Sequence, residues 1–344
     1  FKFEILKPIC SLKLSILYVN YKAPRILLDS LDSLYQFDTQ SFEIIVIDNN
    51  SDDGTEQLLK EAYPTVKFIQ MGYNAGFARA NNAGIKSATG DVILLLNTDT
   101  INLDDAVNRC FQQFVLSDDF ACSAQLLNTD YTPQISGNYV MKGGINNLLP
   151  LPYLGRWLRW VAQQFSVKKP NLPEAKGIVT VDWINGAFLM VKKEAIEKAG
   201  LLDEDFFLYA EEAEWCSRIR KIGKLSIYGE YKVMHLQGET ANMAFGSVGK
   251  GYFNVSDRKG LQMMLSNFLR IRKQFGVGWF VFHFAVYLFD VPLSLFAGMI
   301  SYVNPFAKNK FPFSQWMGFA KNMLTLSYYF PKIILNRPYF YKVL

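Results

Sequence analysis

Short apolar runs recur through the first hundred positions, and each stops at a polar cluster. Leu14 to Val19 ends in Asn20-Tyr21, Phe42 to Ile47 ends in Asp48-Asn49-Asn50-Ser51, and Val66 to Gln70 precedes a glycine-punctuated loop. A fourth run, Val92 to Leu96, is five consecutive apolar residues between Gly90 and the cluster Asn97-Thr98-Asp99. Runs of this length bounded by turn residues predict strands covered on both faces, as in a parallel sheet. The segments between them have helical spacing. Pro24 to Tyr35 carries Ile26, Leu27, Leu31 and Leu34, a second helix is predicted from about Thr55 to Tyr63, and the loop from Gly72 to Gly84 runs into a helix of small residues. This alternation predicts an α/β fold, Rossmann-like, with a mostly parallel sheet and helices on both faces.

Beyond this region the pattern loosens. Residues 128–180 contain Gly143-Gly144, several prolines, Trp157 and Trp160, and are expected to form a mobile, loop-rich insertion beside the ligand crevice. Asp182 to Val191 returns to strand character, and a helix from about Lys193 to Ala199 stops at Gly200. Leu201 to Arg220 concentrates carboxylates, and from Glu211 onward Ala213, Cys216 and Ile219 share a helical face. After His235 the character changes. Arg258 to Phe275 predicts a basic amphipathic helix, and Trp316 to Ile334 is aromatic and basic. Gly278 to Val303 is nearly all apolar, but His283, Asp290 and Pro292 interrupt it. A central Asp is costly inside a bilayer, so in-plane or re-entrant helices are expected there rather than a span.

Charge sharpens the division. The net charge of +5 combines +10 on residues 246–344, where 12 Lys/Arg face only Asp257 and Asp290, with −5 on residues 1–245. The same C-terminal stretch holds 23 of the 52 aromatic residues. Two regions are expected, 1–245 as the catalytic domain and 246–344 as a helical, membrane-associating region. A basic, aromatic, apolar tail fits an anionic membrane surface and not nucleic acid. Cys10, Cys110, Cys122 and Cys216 lack the short paired spacings of a zinc site or disulfide framework, which suits a reducing cytoplasm. The first residues carry no secretory pattern of charge, apolar core and small-residue cleavage site.

Ligands of open α/β sheets bind outside the carboxyl ends of the strands. Asp99, at such an end, is placed either to hold a hard divalent cation and through it a diphosphate, or simply to cap the following turn. Glu211, Glu212 and Glu214 open a helix, where they complement its dipole or supply a general base. His235, one of two histidines, closes the run Tyr231 to His235 and is a candidate metal ligand. Asp48 could serve an NAD ribose, but the turn from Val19 to Pro24 contains no glycine, which excludes a Rossmann dinucleotide site. A Walker-type phosphate loop is absent as well.

Taken in order, Leu17 to Tyr21, Val46 to Ser51, Asn74 to Ala78, Leu95 to Asp99, Trp183 to Ala187, Phe206 to Arg218 and His235 resemble the family 2 inverting glycosyltransferases. The resemblance covers residues 14–240 and points to the branch similar to bacterial rhamnosyltransferases of polysaccharide biosynthesis. It implies a GT-A fold and transfer of a sugar, rhamnose foremost, from a nucleoside-diphosphate donor to a hydroxyl of a lipid-linked or growing glycan. By the same resemblance Asn20, Asp48 and Asn50 serve the base and ribose, and Asn74, Gly76, Phe77 and Arg79 line the donor pocket. Asp99 and His235 hold Mg2+ or Mn2+, with Asn97 and Thr98 against the donor. Asn97 stands where the family signature has its first carboxylate, so this site has one carboxylate. Glu212 is the base, with Glu211 the alternative, where the family more often has Asp. Trp183, Asn185 and Gly186 face the acceptor. A polyprenyl-linked acceptor implies residence on the cytoplasmic face of the inner membrane, peripheral or shallowly inserted.

Two other functions share the layout. A catalytically inactive sugar-nucleotide or glycan-binding protein would need the pocket but not Asp99, His235 and Glu212 together. A sugar nucleotidyltransferase would carry a Gly-rich, basic loop after its first strand, which Asn20-Tyr21 is not.

Overall fold

The computed structural model describes residues 12–37, 42–165, 171–236, 245–247, 253–303 and 312–343. The chain divides into two units, one of Phe1–Tyr139, Asn171–Asp203 and Glu212–Thr240, the other of Val140–Pro170, Glu204–Glu211 and Ala241–Leu344.

The first unit is built on the expected parallel strands, β1 (Leu14–Asn20), β2 (Phe42–Asp48), β3 (Lys67–Gln70) and β4 (Val92–Leu96), in the order β3-β2-β1-β4. All five side chains of β4 are at most 4% exposed, because β4 lies inside the sheet with covered faces. Each such burial contributes about 1.5–3 kcal/mol. Leu27, Leu31 and Leu34 of α1 (Pro24–Tyr35), Leu59 of α2 (Thr55–Ala62), and Val107, Cys110, Phe111 and Phe114 of α4 (Ala106–Val115) join Ile16, Tyr18, Val46 and Leu94 in one core cluster. Leu17 and Ile47 point the other way and meet α3 (Gly76–Ser87). A Cβ on Gly84 would come within 2.7 Å of Ile47 Cδ1, so the small residues of α3 permit its close approach.

The start of β4 is pinned from its neighbours. Gly90 donates to Ser15 Oγ at 2.9 Å, Ser15 donates to Glu43, and Glu43 also accepts from the Thr89 amide at 2.7 Å. A side chain on Gly90 would meet the Ser15 nitrogen at 2.7 Å, which explains the glycine that precedes this strand.

Past β4 the sheet is mixed. β11 (Phe188–Lys192) runs antiparallel to β4 and to β6 (Asp119–Leu127), and the long β12 (Lys224–His235) runs parallel to β6. β12 also pairs antiparallel with β5 (Thr100–Asn102) and β9 (Ile178–Val181). A small second sheet joins β7 (Gly137–Asn138), β8 (Asn171–Leu172) and β10 (Trp183–Ile184). The helices α6 (Lys193–Ala199), ending at Gly200 with φ 78°, and α7 (Glu211–Ile219) fall where the spacing predicts them. Residues 128–180 carry more regular structure than their composition suggests. The stretch contains β7, β8, β9, a 3-10 turn at Lys142–Leu148, and the helix α5 (Leu154–Gln164).

The second unit is mainly helical, with α5, α8 (Arg258–Phe275), α9 (Val277–Val303) and α10 (Phe313–Ile334). Asp257 caps α8 by accepting the Gly260 amide at 2.8 Å. The helix α9 runs unbroken through Pro292 and is long and apolar enough to cross a membrane by length and composition.

Candidate active site

Register places the candidate residues. Asn20 pairs with Asp48 at the ends of β1 and β2, and Tyr18 lies level with Leu96 at the end of β4. The carboxyl edge of the parallel strands therefore presents Asn20, Asp48 and the link Asn97-Thr98-Asp99 side by side. The strand β11 starts at the same edge, since Phe188 pairs with Leu96 and the Asn97 amide donates to the Ala187 carbonyl at 3.0 Å. That brings Asn185 and Gly186 alongside.

At the first corner Asn20 is fully buried and donates to Asp48 Oδ1 at 2.8 Å. Asp48 also accepts from the Ser51 amide at 2.8 Å and from Gln70 at 3.2 Å. A cleft of about 300 Å3 opens here, lined by Asp48, Asp52, Asp53, Thr55, Phe68 and Gln70. Asn50 sits beside it, exposed, with φ 62°. Its neighbour Asn49, part of the same polar strand end but assigned no role from sequence, is 3% exposed and fastens the next loop. Its amide donates to the Gly76 carbonyl at 3.0 Å and its Oδ1 accepts the Ala75 amide at 3.1 Å. Asn74 accepts from the Gly76 amide at 3.1 Å, and Gly76 takes φ 72°, a left-handed conformation for which glycine is suited. Phe77 and Arg79, half-buried, follow in the first turn of α3.

The second corner joins residues 136 positions apart. β12 pairs with β5 so that His235 lies opposite Thr100, next to Asp99, and the Leu236 amide donates to the Asp99 carbonyl at 2.8 Å. His235 Nε2 ends 3.4 Å from Asp99 Oδ1, both residues nearly buried. Gln134, which sequence reasoning missed, orients the ring. Its amide nitrogen donates to the carbonyls of His235 at 2.6 Å and Leu127 at 3.2 Å, so its Oε1 is left to accept from His235 Nδ1 at 3.0 Å. This network makes Nδ1 the hydrogen-bond donor and leaves Nε2 facing the Asp99 carboxylate. A carboxylate oxygen and an imidazole nitrogen brought together at this separation are groups of the kind that could share a cation. Among the described residues no group of three or more His, Cys, Asp or Glu forms a fuller metal cluster. Asn97 and Thr98 flank the pair, half-buried and buried.

At the third corner Gly186 meets Glu212 and Phe77. A Cβ on Gly186 would lie 3.4 Å from Glu212 Cγ and 3.7 Å from Phe77 Cε1, so the glycine keeps this approach open. Asn185 shapes the turn, accepting the Ala187 amide at 3.0 Å. Trp183 pairs with Asn138, and Trp183 Nε1 and Asn138 Oδ1 are buried polar atoms with no hydrogen-bond partner among the described residues. Glu212 is half-buried and Glu211 is 2% exposed. Immediately before them Tyr209 and Ala210 take φ 71° and 68°, two consecutive left-handed residues with side chains, a costly backbone that sets the start of α7. Burial pushes the Tyr209 hydroxyl far above its ordinary range, with Glu211 and Asp257 adding to the shift. Glu214 has a structural task, an ion pair with Arg218 at 2.8 Å, while Arg218 also donates to the Leu201 carbonyl.

The chain is similar to known proteins in sequence and in fold. Residues 15–164 match the sequence model of Glycosyl transferase family 2. The low-salt glycan biosynthesis hexosyltransferase Agl10 of Haloferax volcanii is 28% identical over 214 residues, 60% of this chain and 62% of that protein. The chain thus spans about three-fifths of that relative's length. The N-acetylglucosaminyl-diphospho-decaprenol L-rhamnosyltransferase of Mycobacterium tuberculosis is 25% identical over 238 residues, 62% of this chain and 73% of that protein. In fold, the chain is similar to the mannosyltransferase PcManGT of Pyrobaculum calidifontis, solved with GDP-Man and Mn2+. The TM-score is 0.50 at 15% identity, covering 93% of this chain and 81% of that one. Residues 15–164 are thus similar to Glycosyl transferase family 2, and the fold is of the GT-A type.

Proposed function

We propose that the chain is an inverting glycosyltransferase that moves a sugar from a nucleoside-diphosphate donor to an acceptor hydroxyl. The observation that carries this reading is the Asp99–His235 pair, assembled by β5–β12 pairing at the same sheet edge as Asn20 and Asp48. Phe68, Gln70 and Asp48 around the cleft offer an aromatic face and hydrogen-bonding groups suited to a nucleobase and ribose. Asn74, Gly76, Phe77 and Arg79 continue from there toward the diphosphate.

In the proposed reaction Glu212 takes the proton from the acceptor hydroxyl, and that oxygen attacks the anomeric carbon opposite the diphosphate. The new C–O bond forms as the bond to the diphosphate breaks, which inverts the carbon. One base suffices, because a diphosphate leaves without protonation. Asp99 and His235 are the residues that would hold Mg2+ or Mn2+, a fit supported by their opposed donor atoms and by the Gln134 bond that fixes the ring. When bound there, the cation supplies charge compensation for the departing diphosphate. Asn97 contributes no charge, so the donor's own phosphates complete the site. Trp183, Asn185 and Gly186 face the acceptor in this scheme.

The rhamnosyltransferase relative, named for an N-acetylglucosaminyl-diphospho-decaprenol acceptor, supports L-rhamnose as the sugar and a polyprenyl-linked glycan as the acceptor, and the donor proposed with them is dTDP-rhamnose. Such an acceptor places the protein on the cytoplasmic face of the inner membrane. The test is a panel of sugar nucleotides with released nucleoside diphosphate as readout, run with and without Mn2+. Selective, metal-stimulated release from dTDP-rhamnose is expected. Release from another donor reassigns the sugar, and no release from any donor with a glycan-lipid acceptor present overturns the enzymatic reading.

A further inference from the structure

The helix α9 is built with its polar side inward. Its buried positions are Phe280, His283, Tyr287, Asp290 and Ser294, a stripe with alternating spacings of three and four. Three polar members of that stripe bond to the backbone of the segment that precedes and opens α5, while Ser294 bonds to the Val291 carbonyl of its own helix. His283 Nε2 is 3.1 Å from the Gly144 carbonyl, the Tyr287 hydroxyl donates to the Asn147 carbonyl at 2.6 Å, and Asp290 accepts the amides of Tyr153 at 3.2 Å and Leu154 at 2.7 Å. Asp290, the residue that argues against a membrane span in the sequence, is thus the acceptor for the first turn of α5.

The opposite face holds Val281, Phe282, Leu288, Phe289, Phe296, Met299 and Ile300, each at least 40% exposed. A water-facing helix has the reverse arrangement. Exposed apolar stripes of this extent mark an interaction surface.

We propose that this face of α9 lies in the plane of an anionic phospholipid bilayer, immersed in the interface and not crossing it. Charge complementarity selects the occupant. Lys and Arg outnumber Asp and Glu 17 to 5 in the second unit, so the apolar stripe belongs to a strongly cationic body. Packing selects the orientation. The buried side of α9 contacts Phe268 of α8, whose ring centre is 6.0 Å from Phe280 and 5.0 Å from Tyr287. The same α8 carries Arg258, Arg270, Arg272 and Lys273, so it cannot follow α9 into hydrocarbon. A helix tied on one side to a polar helix and to irregular backbone is held at the surface. Trp157 and Trp160 of α5, more than half exposed, add amphipathic anchors of the kind found at membrane interfaces.

The test is flotation of the purified chain with phosphatidylcholine vesicles and with vesicles containing phosphatidylglycerol, comparing it with Phe289→Glu/Phe296→Glu. The parent is expected to float with the anionic vesicles, and the double variant to bind about 100-fold more weakly with unchanged circular dichroism. Should that variant misfold, Phe289→Gln/Phe296→Gln serves the same comparison. Equal flotation of variant and parent, no binding by the parent, or a parent dimer in lipid-free sedimentation that the substitutions dissociate would each overturn the proposal, the last by assigning the face to a second copy. Orientation is read from Val277→Cys and Ile300→Cys, each in a Cys10→Ser background. Each site is expected to show the same reactivity toward an external, impermeant maleimide before and after vesicle permeabilisation, with the Ile300 site, on the immersed face, the slower of the two. A site that reacts only after permeabilisation shows a span and refutes the in-plane placement.

Discussion

Gln134→Met tests whether the Asp99–His235 pair is a prepared cation site. The side chain is 6% exposed and makes contacts at both ends of its amide. Methionine matches its length but returns none of these hydrogen bonds. The carbonyls of Leu127 and His235 lose a donor, and His235 Nδ1 loses its acceptor. Leaving a buried polar group unsatisfied costs about 1–3 kcal/mol, and partial satisfaction by water brings the expected total to about 3 kcal/mol of stability. The effect on the cation is separate. Without Gln134 the imidazole is free to take the other tautomer or to rotate, and loss of an outer partner of this kind typically weakens metal binding about 10- to 100-fold. That range corresponds to about 1.4–2.7 kcal/mol. The assay is calorimetric titration of Mn2+ into the protein saturated with nucleoside diphosphate, with Asp99→Ala as the reference for a lost ligand and thermal unfolding run in parallel. Unchanged Mn2+ affinity in a folded Gln134→Met protein would show that His235 is not a ligand, and the orienting role would fall with it.

Other outcomes follow from the same structure. Glu212→Gln is expected to abolish transfer while donor affinity, measured by titration, stays within about twofold; near-normal turnover would move the base to Glu211. Asp205→Asn removes the carboxylate facing Lys273 at 2.6 Å, with both side chains under a fifth exposed, but keeps an acceptor for the Tyr339 amide. A loss of about 2 kcal/mol in denaturant unfolding is expected, most of it recovered in Asp205→Asn/Lys273→Met, and full additivity in that cycle would mean the pair is screened. Glu43 shows a pH effect. Burial pushes its carboxyl up, but hydrogen bonds from Ser15 and Thr89 and the charge of Lys67 together hold it below the ordinary range. A depressed carboxylate stabilises the fold above its unfolded value and loses that contribution as pH falls through the folded one. The stability gap between the parent and Glu43→Gln is therefore expected to be full at pH 7 and to shrink below about pH 4. A gap independent of pH would assign it to packing.

The sequence by itself determined the parallel half of the sheet. Runs such as Leu14 to Val19 and Val92 to Leu96 have no polar face to give to solvent, so they can only be inner strands. The candidate residues at their ends, Asn20, Asp48 and Asp99, were legible for the same reason, since the end of a buried run is where polar side chains can first reach a ligand. α1 and α8 were equally plain from their apolar periodicity. What lay beyond the sequence depends on contacts between distant segments. The pairing of β12 with β5 brings His235 to Asp99, and no local pattern encodes which strand meets which. Gln134 orients His235 from 101 positions away, so its importance has no signature in composition or spacing. The helix α9 is the sharpest case. In the sequence its His283, Asp290 and Pro292 interrupt an apolar run and weigh against a span, but do not say which groups they meet; in the fold the polar side chains find backbone partners in residues 144–154. Sequence fixes which groups must be satisfied; tertiary structure decided who satisfies them, and so which face of α9 was left for another partner.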